Sequence, residues 1–504
     1  MTLTHHSGRL AKPVEEPPYQ WGWLETFVAV QYLSSGLIML PGTQPFRFLI
    51  RAMPYAASLA LLILGLVQTA PRRRKQRERA ETPTEPLTET TPPPAKKWVG
   101  AILLWLLASQ LHPDTYFASG LAQLIFQLSI YAPIFWVWKR VHDTKHLERL
   151  IWLMLLCNGA SAVTGLLQVY FPDRFMPAEF TSLGLSQNAG LLDAMTYTGA
   201  DGRKIIRPPG LSDLPGGASG AGMAIGFLGV VLASQPGSKL WRRLFCLALS
   251  GIGVFILYLT QVRSLLLMMI IVIGVMCLLL WRQKRFTQVI TVSSMGGGLV
   301  VAAFIWAVSV GGSVVTERFL SVAQEGAVSS FKQNRGHFVA ATFGEWMFDY
   351  PLGAGVGRWG MMNIYFGNKS PDGPRPLWAE IQITGWLFDG GIVLWLLTGG
   401  AIVVSLRQCY QLVTLPGAPP ISYFAAIIFC LSTFVLGQCF AGPCFNTQLG
   451  IQFWFGLAAL HGAGARELRA LDEAAEQRRI RRRELRRAPL KIADPGTDLN
   501  PRQP

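Results

Sequence analysis

The chain alternates between long blocks of apolar residues and short stretches that carry most of its charge. Each block holds about 20 residues, which at a rise of about 1.5 Å per residue is enough to span a bilayer as a helix. The pattern predicts an all-α polytopic membrane protein with one membrane domain over residues 21–462. About twelve transmembrane helices are expected, with apolar cores beginning near Gly22, Met53, Trp98, Ser119, Leu150, Gly216, Leu244, Leu265, Val289, Ile383, Ile421 and Gln448.

Composition supports this class of protein. Of 504 residues, 51% are hydrophobic and 15% are charged, whereas an ordinary soluble protein has about 25% charged residues. The seven cysteines are scattered without a CxxC pair or the Cys/His spacing of a zinc site. We therefore expect neither a metal nor a cofactor.

The formal net charge of +16 is explained by topology and not by a nucleic-acid partner. Residues 71–97 contain an arginine-rich run followed by a Thr/Pro/Glu stretch, and the positive-inside rule makes this loop cytoplasmic. Twelve alternating crossings then place the other basic clusters on the same side, together with both termini, residues 1–20 and 463–504. The basic tail has two interpretations: a helix on anionic lipid, or a solubilising topology anchor.

Two predicted external loops, residues 171–215 and 311–382, are too long to be simple connectors. In the second, apolar spacing predicts surface helices over Thr316–Ser329 and Arg335–Asp349. A glycine-rich string over residues 351–357 then predicts a sharp turn. A nucleotide-binding interpretation of this string fails because no strand precedes it.

Three arginines stand where helices meet these external loops: Arg207, Arg263 and Arg335. Interfacial snorkelling for Arg263 and solvation for Arg207 are the simpler explanations. Converging guanidinium groups would also match the oxygens of a lipid diphosphate. Such a site could support glycosyl transfer without a metal if a general base removed the acceptor proton. Candidate bases are His337, Glu345, Asp349, Glu380 and Asp389.

Several strings between Ile206 and Leu406 resemble one family. They are Arg207-Pro-Pro-Gly-Leu-Ser-Asp, Thr260-Gln-Val-Arg263-Ser, Arg335-Gly-His-Phe-Val, Asp349-Tyr-Pro-Leu-Gly-Ala-Gly-Val-Gly and Asp389-Gly-Gly-Ile-Val. In order and spacing the chain resembles the O-antigen ligases and the O-antigen or exopolysaccharide polymerases of bacterial envelopes.

This resemblance implies a GT-C-like enzyme in the cytoplasmic (inner) membrane of a bacterium. It would transfer a glycan from undecaprenyl diphosphate at the periplasmic face to a lipid A core, a protein or a second lipid-linked glycan. Arg263 and Arg335 would hold the diphosphate, and Arg207 and His337 would also contact substrate.

The chain departs from the family pattern at one position. Many members have a histidine about eleven residues before the closing glycine, and here Glu380 occupies that register before Gly391. Glu380 is the expected catalytic base. The alternatives are that Glu380 pairs with Arg375 or Arg358 to order the loop, and that His337 supplies the base or has only a structural hydrogen-bonding role.

Two other functions compete with this enzyme: a transporter of an anionic solute, and a non-catalytic envelope-assembly protein. Against a transporter, there is no convincing internal repeat, and ionisable residues are scarce at mid-helix positions. A smaller hypothesis concerns Cys439 and Cys444, which flank an outer turn and form either a disulfide or two free thiols.

Overall fold

The computed structural model describes residues 21–79, 91–141, 143–176, 196–198, 202, 204–212, 214, 216–317, 320, 329, 331–370, 373–417 and 419–487. Helices make up 79% of the structure. Each of the twelve predicted apolar blocks corresponds to a helix in the described part of the chain. These are α1 Trp23–Leu33, α2 Arg47–Arg79, α3 Ala95–Ala108, α4 Phe117–Tyr131, α5 Thr144–Tyr170, α6 Ala218–Ala233, α7 Leu240–Thr260, α8 Arg263–Arg282, α9 Phe286–Gly311, α10 Gln382–Val413, α11 Pro420–Gln438 and α12 Gln448–Arg487.

Short helical segments connect several of these long helices. Those outside the second long loop are α-helices at Pro133–Trp136 and Pro172–Phe175, and 3-10 turns at Ser34–Met39, Gln44–Phe46, Ser109–Leu111, Val137–Lys139 and Cys444–Asn446.

Seven of the twelve helices, within the described residues, are long and apolar enough to cross a membrane: the first 21 residues of α2, then α5, α7, α8, α9, α10 and α11. An eighth span results if α4 and the segment Pro133–Lys139, which meet at a bend of 43°, count as one. The chain is therefore a polytopic helical membrane protein. The count of twelve crossings stays a prediction.

Close packing of α6 against α7 depends on glycine. A Cβ atom at Gly222 would lie 2.7 Å from the carbonyl oxygen of Gly253, and one at Gly229 would lie 2.5 Å from that of Cys246. The hydroxyl of Ser250 also donates to the carbonyl of Gly226 at 2.6 Å. In a membrane, small residues of this kind let helix backbones approach and gain van der Waals contact.

Two basic segments continue long helices of the bundle. α2 runs without interruption into the arginine cluster and ends at Arg79, and α12 extends over 40 residues to Arg487. At about 1.5 Å per residue, α12 is about 60 Å long, roughly twice the thickness of a hydrocarbon core. As far as Arg487 the basic tail therefore continues the helix that precedes it. Its role, as a lipid-binding helix or as a topology anchor, stays a prediction. Residues 80–90 and 488–504 lie outside the described part.

The first long loop contains a small antiparallel hairpin that the all-helical expectation omitted. Strand β1 is Thr196–Thr198 and strand β2 is Lys204–Ile206, with Thr196 opposite Ile206. Both strands are rich in β-branched and aromatic residues, which favour extended backbone. β2 ends directly before Arg207.

The second long loop is helical over residues 332–349 and again at Gly360–Phe366, and is otherwise irregular where it is described after residue 330. Two π-helical turns, Lys332–Gly336 and Thr342–Trp346, alternate with short helices at His337–Ala341 and Met347–Asp349, and a further short helix spans Gly360–Phe366. The sequence places Arg335 at the start of a helix, whereas the structure places it inside the first π turn.

Two other predictions concern the same loop. Most of the predicted helix Thr316–Ser329 lies outside the described residues. The predicted turn at 351–357 is confirmed, since Gly353, Gly355 and Gly357 all have positive φ, a conformation that glycine adopts at little cost.

Hydrogen bonds between connectors define two ends of the helix bundle. At one end, which we call the site end, Val356 N donates to Thr115 Oγ1 at 3.0 Å, and Gln382 N donates to the Cys439 carbonyl at 2.9 Å. At the other, which we call the basic end, the amide of Gln283 bridges two carbonyls, those of Val413 and Ser422, at 3.2 and 2.9 Å.

Candidate functional site

The predicted base, Glu380, and one of the predicted diphosphate contacts, Arg335, lie side by side. Arg335 Nε is 4.0 Å from Glu380 Oε2, and the two side chains are 38% and 37% exposed. The Trp378 indole donates to Glu380 Oε1 at 3.3 Å. A cation and a carboxylate thus meet at the site end, within reach of a ligand from outside.

The position of Glu380 is set by the residues that follow it. Ile381 is fully buried, and Gln382, the first residue of α10, accepts at Oε1 from the Phe445 backbone at 2.8 Å. The hydroxyls of Thr342 and Thr384 lie 2.6 Å apart and join the helical part of the loop to α10. Arg335 lies on the helical part of the loop and Glu380 directly before α10, and the Thr342–Thr384 hydrogen bond holds these two elements together.

Arg207 and Arg263 flank the turn between α7 and α8. Arg207 Nε donates to the carbonyl of Thr260 at 3.1 Å, next to Gln261, which takes a left-handed backbone (φ 57°). Arg263 is the first residue of α8. Burial raises the pKa of Tyr197 on β1, and the charge of nearby Arg207 acts in the opposite direction. The hairpin, Arg207 and the α7–α8 turn thus form a second cationic group.

Packing of α8 on α11 places the Arg207–Arg263 group at the same end of the bundle as the Arg335–Glu380 pair. The side chain of Met268, slightly more than one turn from Arg263, lies against Gly437 near the end of α11. Two residues later, the Cys439 carbonyl accepts from Gln382. All four predicted substrate-contacting or catalytic arginine and glutamate residues therefore belong to the site end.

The ordering alternative for Glu380 named Arg375 or Arg358 as its partner. Arg358 Nη1 instead pairs with Asp114 at 3.1 Å and also donates to the Ala354 carbonyl at 2.6 Å. Its Nη2 donates to the Arg375 carbonyl at 2.9 Å. Arg358 closes the loop on itself and on the α3–α4 connector, and the ion pair observed for Glu380 is with Arg335.

Among the other candidate bases, Asp389 is 2% exposed and fully engaged. Its Oδ1 accepts from Gly357 N at 3.1 Å and its Oδ2 from Gln123 Nε2 at 2.8 Å. Asp389 therefore holds the glycine turn in place and does not face a substrate.

The remaining candidate bases are Glu345, Asp349 and His337, and all three lie on the helical part of the second loop. The Glu345 and Asp349 side chains are not buried, and exposed His337 contacts its neighbour Phe338, with ring centroids 4.2 Å apart. No ion pair or hydrogen bond joins these three residues to Glu380 in the described part of the chain.

α10 is broken immediately after Asp389. Gly390 (φ −161°, ψ 18°) and Gly391 (φ 65°, ψ −158°) leave the helical conformation. The groups released are satisfied from outside the helix: Trp105 Nε1 donates to the Gly390 carbonyl at 2.7 Å, and Ile392 N donates to the Pro351 carbonyl at 3.0 Å. The two glycine-containing strings at 349–357 and 389–393, which are separate in the sequence, form one joint.

A large cavity lies beside the site and was not predicted. Its volume is about 1110 Å³, and α2, α4, α6, α11 and α12 contribute to its wall. The predicted residues Arg207, Arg263, Arg335 and Glu380 lie outside its wall, whereas Arg51 of α2 is part of it. One signal in the sequence could have indicated this cavity. Arg51 lies one turn inside an apolar block, on the same helix face as Phe48, Tyr55 and Leu59.

Comparison with known protein families finds no matching family model, and comparison with curated proteins finds no matching sequence. The fold and the site define a polytopic helical membrane protein with a polar, partly exposed charge cluster at one end.

Proposed function

We propose that this protein is a membrane glycosyltransferase that transfers or polymerises a glycan from an undecaprenyl-diphosphate donor, in O-antigen or exopolysaccharide synthesis. The observation that carries the proposal is the proximity of Arg335 and Glu380. Two residues singled out for different chemical roles, and far apart in the chain, meet at one accessible point.

The proposed reaction needs one base and one anion-stabilising group. The acceptor hydroxyl attacks the anomeric carbon, the bond from that carbon to the diphosphate oxygen breaks, and the diphosphate leaves with the bonding electrons. Glu380 takes the hydroxyl proton, while Arg335 and Arg263 stabilise the charge that grows on the diphosphate. Arg207 and His337 contact the substrate around this centre.

The orientation follows from charge. Basic residues gather at the basic end, where Arg285 stacks on Tyr423 with its guanidinium carbon 5.5 Å from the ring centroid, and from which the arginine-rich parts of α2 and α12 project. Burial lowers the pKa of Arg285. The positive-inside rule makes this the cytoplasmic end, so both termini are cytoplasmic and the site end faces the periplasm.

One observation favours the alternative of a transporter. Broken helices occur at transporter substrate sites, and carboxylates within membrane helices mark substrate or ion pathways. α10 has both features at Asp389–Gly391. A carboxylate would repel an anionic solute, however, and its two oxygens already accept from Gly357 and Gln123. We therefore rank this function second.

The decisive experiment is transfer from a purified undecaprenyl-diphosphate glycan by the full chain in liposomes. Glu380→Gln keeps size and hydrogen bonding but removes basicity, so transfer should collapse while donor binding persists. Arg375→Ala, a nearby exposed arginine, is the control and should keep normal transfer. Normal transfer by Glu380→Gln with loss in His337→Ala would move the base to His337.

The acceptor is distinguished by what accumulates in a deletion strain. Single lipid-linked repeat units would indicate a lost polymerase, and finished long chains a lost ligase. Unchanged envelope glycans, with no lipid-linked material accumulating, would contradict the proposal.

A further inference from the structure

The 1110 Å³ cavity is shaped for a molecule with a long apolar part. It is slightly larger than the usual range for ligand pockets, about 300 to 1,000 Å³. Aliphatic residues such as Leu59, Leu228 and Ile428 line its wall. The small α6 residues Gly220 and Ala224 leave room beside them. A Cβ atom added at Gly220 would meet no other atom within 4 Å.

Polarity changes along the cavity. On α2, Arg51, Tyr55 and Leu59 follow one another at four-residue spacing, so they form one stripe that runs from a cation through a phenol to an aliphatic side chain. Asn446, Thr447 and Gln448 line the same region near the start of α12. The cation and this polar group are thus at the site end. Toward the middle of the bundle the wall is mostly apolar, with a few uncharged polar residues such as Ser129 and Asn158.

Arg51 is the one charged residue among the described residues that line this cavity. It is half-buried on the wall of a largely apolar space. In such surroundings the potential of a guanidinium group is weakly screened and favours an anion, and its fork matches phosphate oxygens.

The cavity is accessible from outside the bundle. Phe117, Leu121 and Ile125, at four-residue spacing on α4, line it and are 74%, 41% and 48% exposed. At its site end, the ring of Phe48 lies 5.0 Å from that of Tyr365 on the short helix Gly360–Phe366, which also contributes to the wall. A chain-like molecule can therefore enter along α4 beneath this short helix.

We infer that the cavity binds one membrane lipid, with its hydrocarbon chain along Leu59 and Leu228 and its anionic phosphate headgroup at Arg51. This site is separate from the Arg335–Glu380 pair and stands whether or not the protein transfers glycans. It adds a lipid-phosphate contact, Arg51, to a bundle whose other predicted phosphate contacts lie outside the cavity.

The test is lipid binding by the purified full chain, measured by native mass spectrometry with phosphatidylglycerol and undecaprenyl phosphate as probes. Zwitterionic phosphatidylcholine is the comparison lipid. Arg51→Gln should weaken binding of both anionic probes about 10- to 100-fold, the effect of losing one charge-assisted contact. Arg47→Gln, one turn away and not part of the wall, should bind as the wild type does.

A second pair of variants tests the cavity itself. Gly220→Leu adds a side chain to the cavity wall at a position where a Cβ meets nothing within 4 Å, and it should abolish binding. Gly297→Leu on α9, where a Cβ also meets nothing within 4 Å, should not. The tighter of the two anionic probes identifies the physiological class of lipid. Equal binding of phosphatidylcholine, unchanged affinity in Arg51→Gln, or full binding by Gly220→Leu would each overturn the inference. Glu380→Gln should bind lipid normally, so a failed transfer assay leaves this test intact.

Discussion

Gln123 on α4 donates a 2.8 Å hydrogen bond to the carboxylate of Asp389, 266 residues further along the chain, where α10 breaks. Both side chains are buried. The other carboxylate oxygen accepts from Gly357, so a single side chain joins α4, α10 and the glycine turn of the long loop.

Replacing Asp389 should destabilise this joint. Asp389→Ala leaves the Gln123 amide and the Gly357 N–H without an acceptor, and each buried unsatisfied donor costs about 1 to 3 kcal/mol. Asp389→Asn keeps an acceptor and should lose less. Thermal unfolding in detergent measures both, and a Gln123→Leu change should add little in the Asp389→Ala background. Equal stability of Asp389→Ala and wild type would mean that the joint contributes nothing to folding.

Loss of a predicted diphosphate contact should slow glycan transfer. For Arg335→Ala and Arg263→Ala we expect a fall on the order of 10² to 10³-fold, comparable with removal of one oxyanion-stabilising donor. Arg335→Lys should also be impaired because an ammonium group cannot make the forked contact. Arg207→Ala should lose less, since its guanidinium already donates to Thr260. Wild-type rates in correctly folded Arg263→Ala and Arg335→Ala would exclude both residues from the site.

The contact between α6 and α7 should be sensitive to a larger side chain at Gly222 and should tolerate one at Gly220, two residues earlier. A Cβ at Gly222 meets the Gly253 backbone at 2.7 Å, while one at Gly220 meets nothing within 4 Å. Gly222→Leu should cost about 1 to 3 kcal/mol or more from overpacking, and Gly220→Leu should not reduce stability. Detergent thermal stability of the pair, measured side by side, checks this; similar losses in both would refute the packing argument.

Membrane orientation can be determined by labelling single added cysteines in intact cells. An impermeant maleimide should reach position 368, at the site end, and should not reach position 414, at the basic end, or position 84 in the basic loop, which lies outside the described residues. Permeabilisation should expose all three. Labelling of positions 414 or 84 in sealed cells would reverse the proposed topology.

The Cys439–Cys444 pair gives a pH-dependent prediction. Both thiols are free, their sulfurs lie 3.4 Å apart, and both side chains are buried. Burial raises the pKa of the Cys444 thiol well above its ordinary value of 9.0. As pH rises, the thiol ionises in the unfolded chain before it ionises in the folded protein. The stability that the buried neutral thiol contributes is therefore fully present below about pH 9 and is lost as pH rises further. Alkylation of the native protein at pH 8 should therefore be much slower at Cys444 than after unfolding; peptide mass spectrometry would show this, and a disulfide in the non-reduced peptide would contradict it.

Much of the helical architecture could be predicted because apolar blocks of spanning length report directly on burial in lipid. Contacts between distant segments could not. The strings at 349–357 and 389–393 were visible, yet nothing in their spacing indicates that Gly357 would donate to Asp389, because that contact depends on how the loop folds back on α10. Arg51 was overlooked for the same reason, since a cavity exists only after several helices assemble around it.

The short hairpin and the π turns mark another limit. β1 and β2 have three residues each, too few for a clear alternating pattern. The π turn over Lys332–Gly336 moves Arg335 away from the start of its helix, a shift that helical periodicity does not encode. The chemistry of the two side chains suggested that Arg335 and Glu380 act together, but the sequence could not show where they come into contact.

The break at Gly390–Gly391 has a mechanical consequence for the residues before it. The first two turns of α10, from Gln382 to Asp389, are tied to the glycine turn, to Trp105 on α3 and to Gln123 on α4 more directly than to the rest of their own helix. A displacement of Glu380 would therefore pass first to the α11–α12 connector that Gln382 contacts and to α3 and α4, before it reached the part of α10 that follows Gly391.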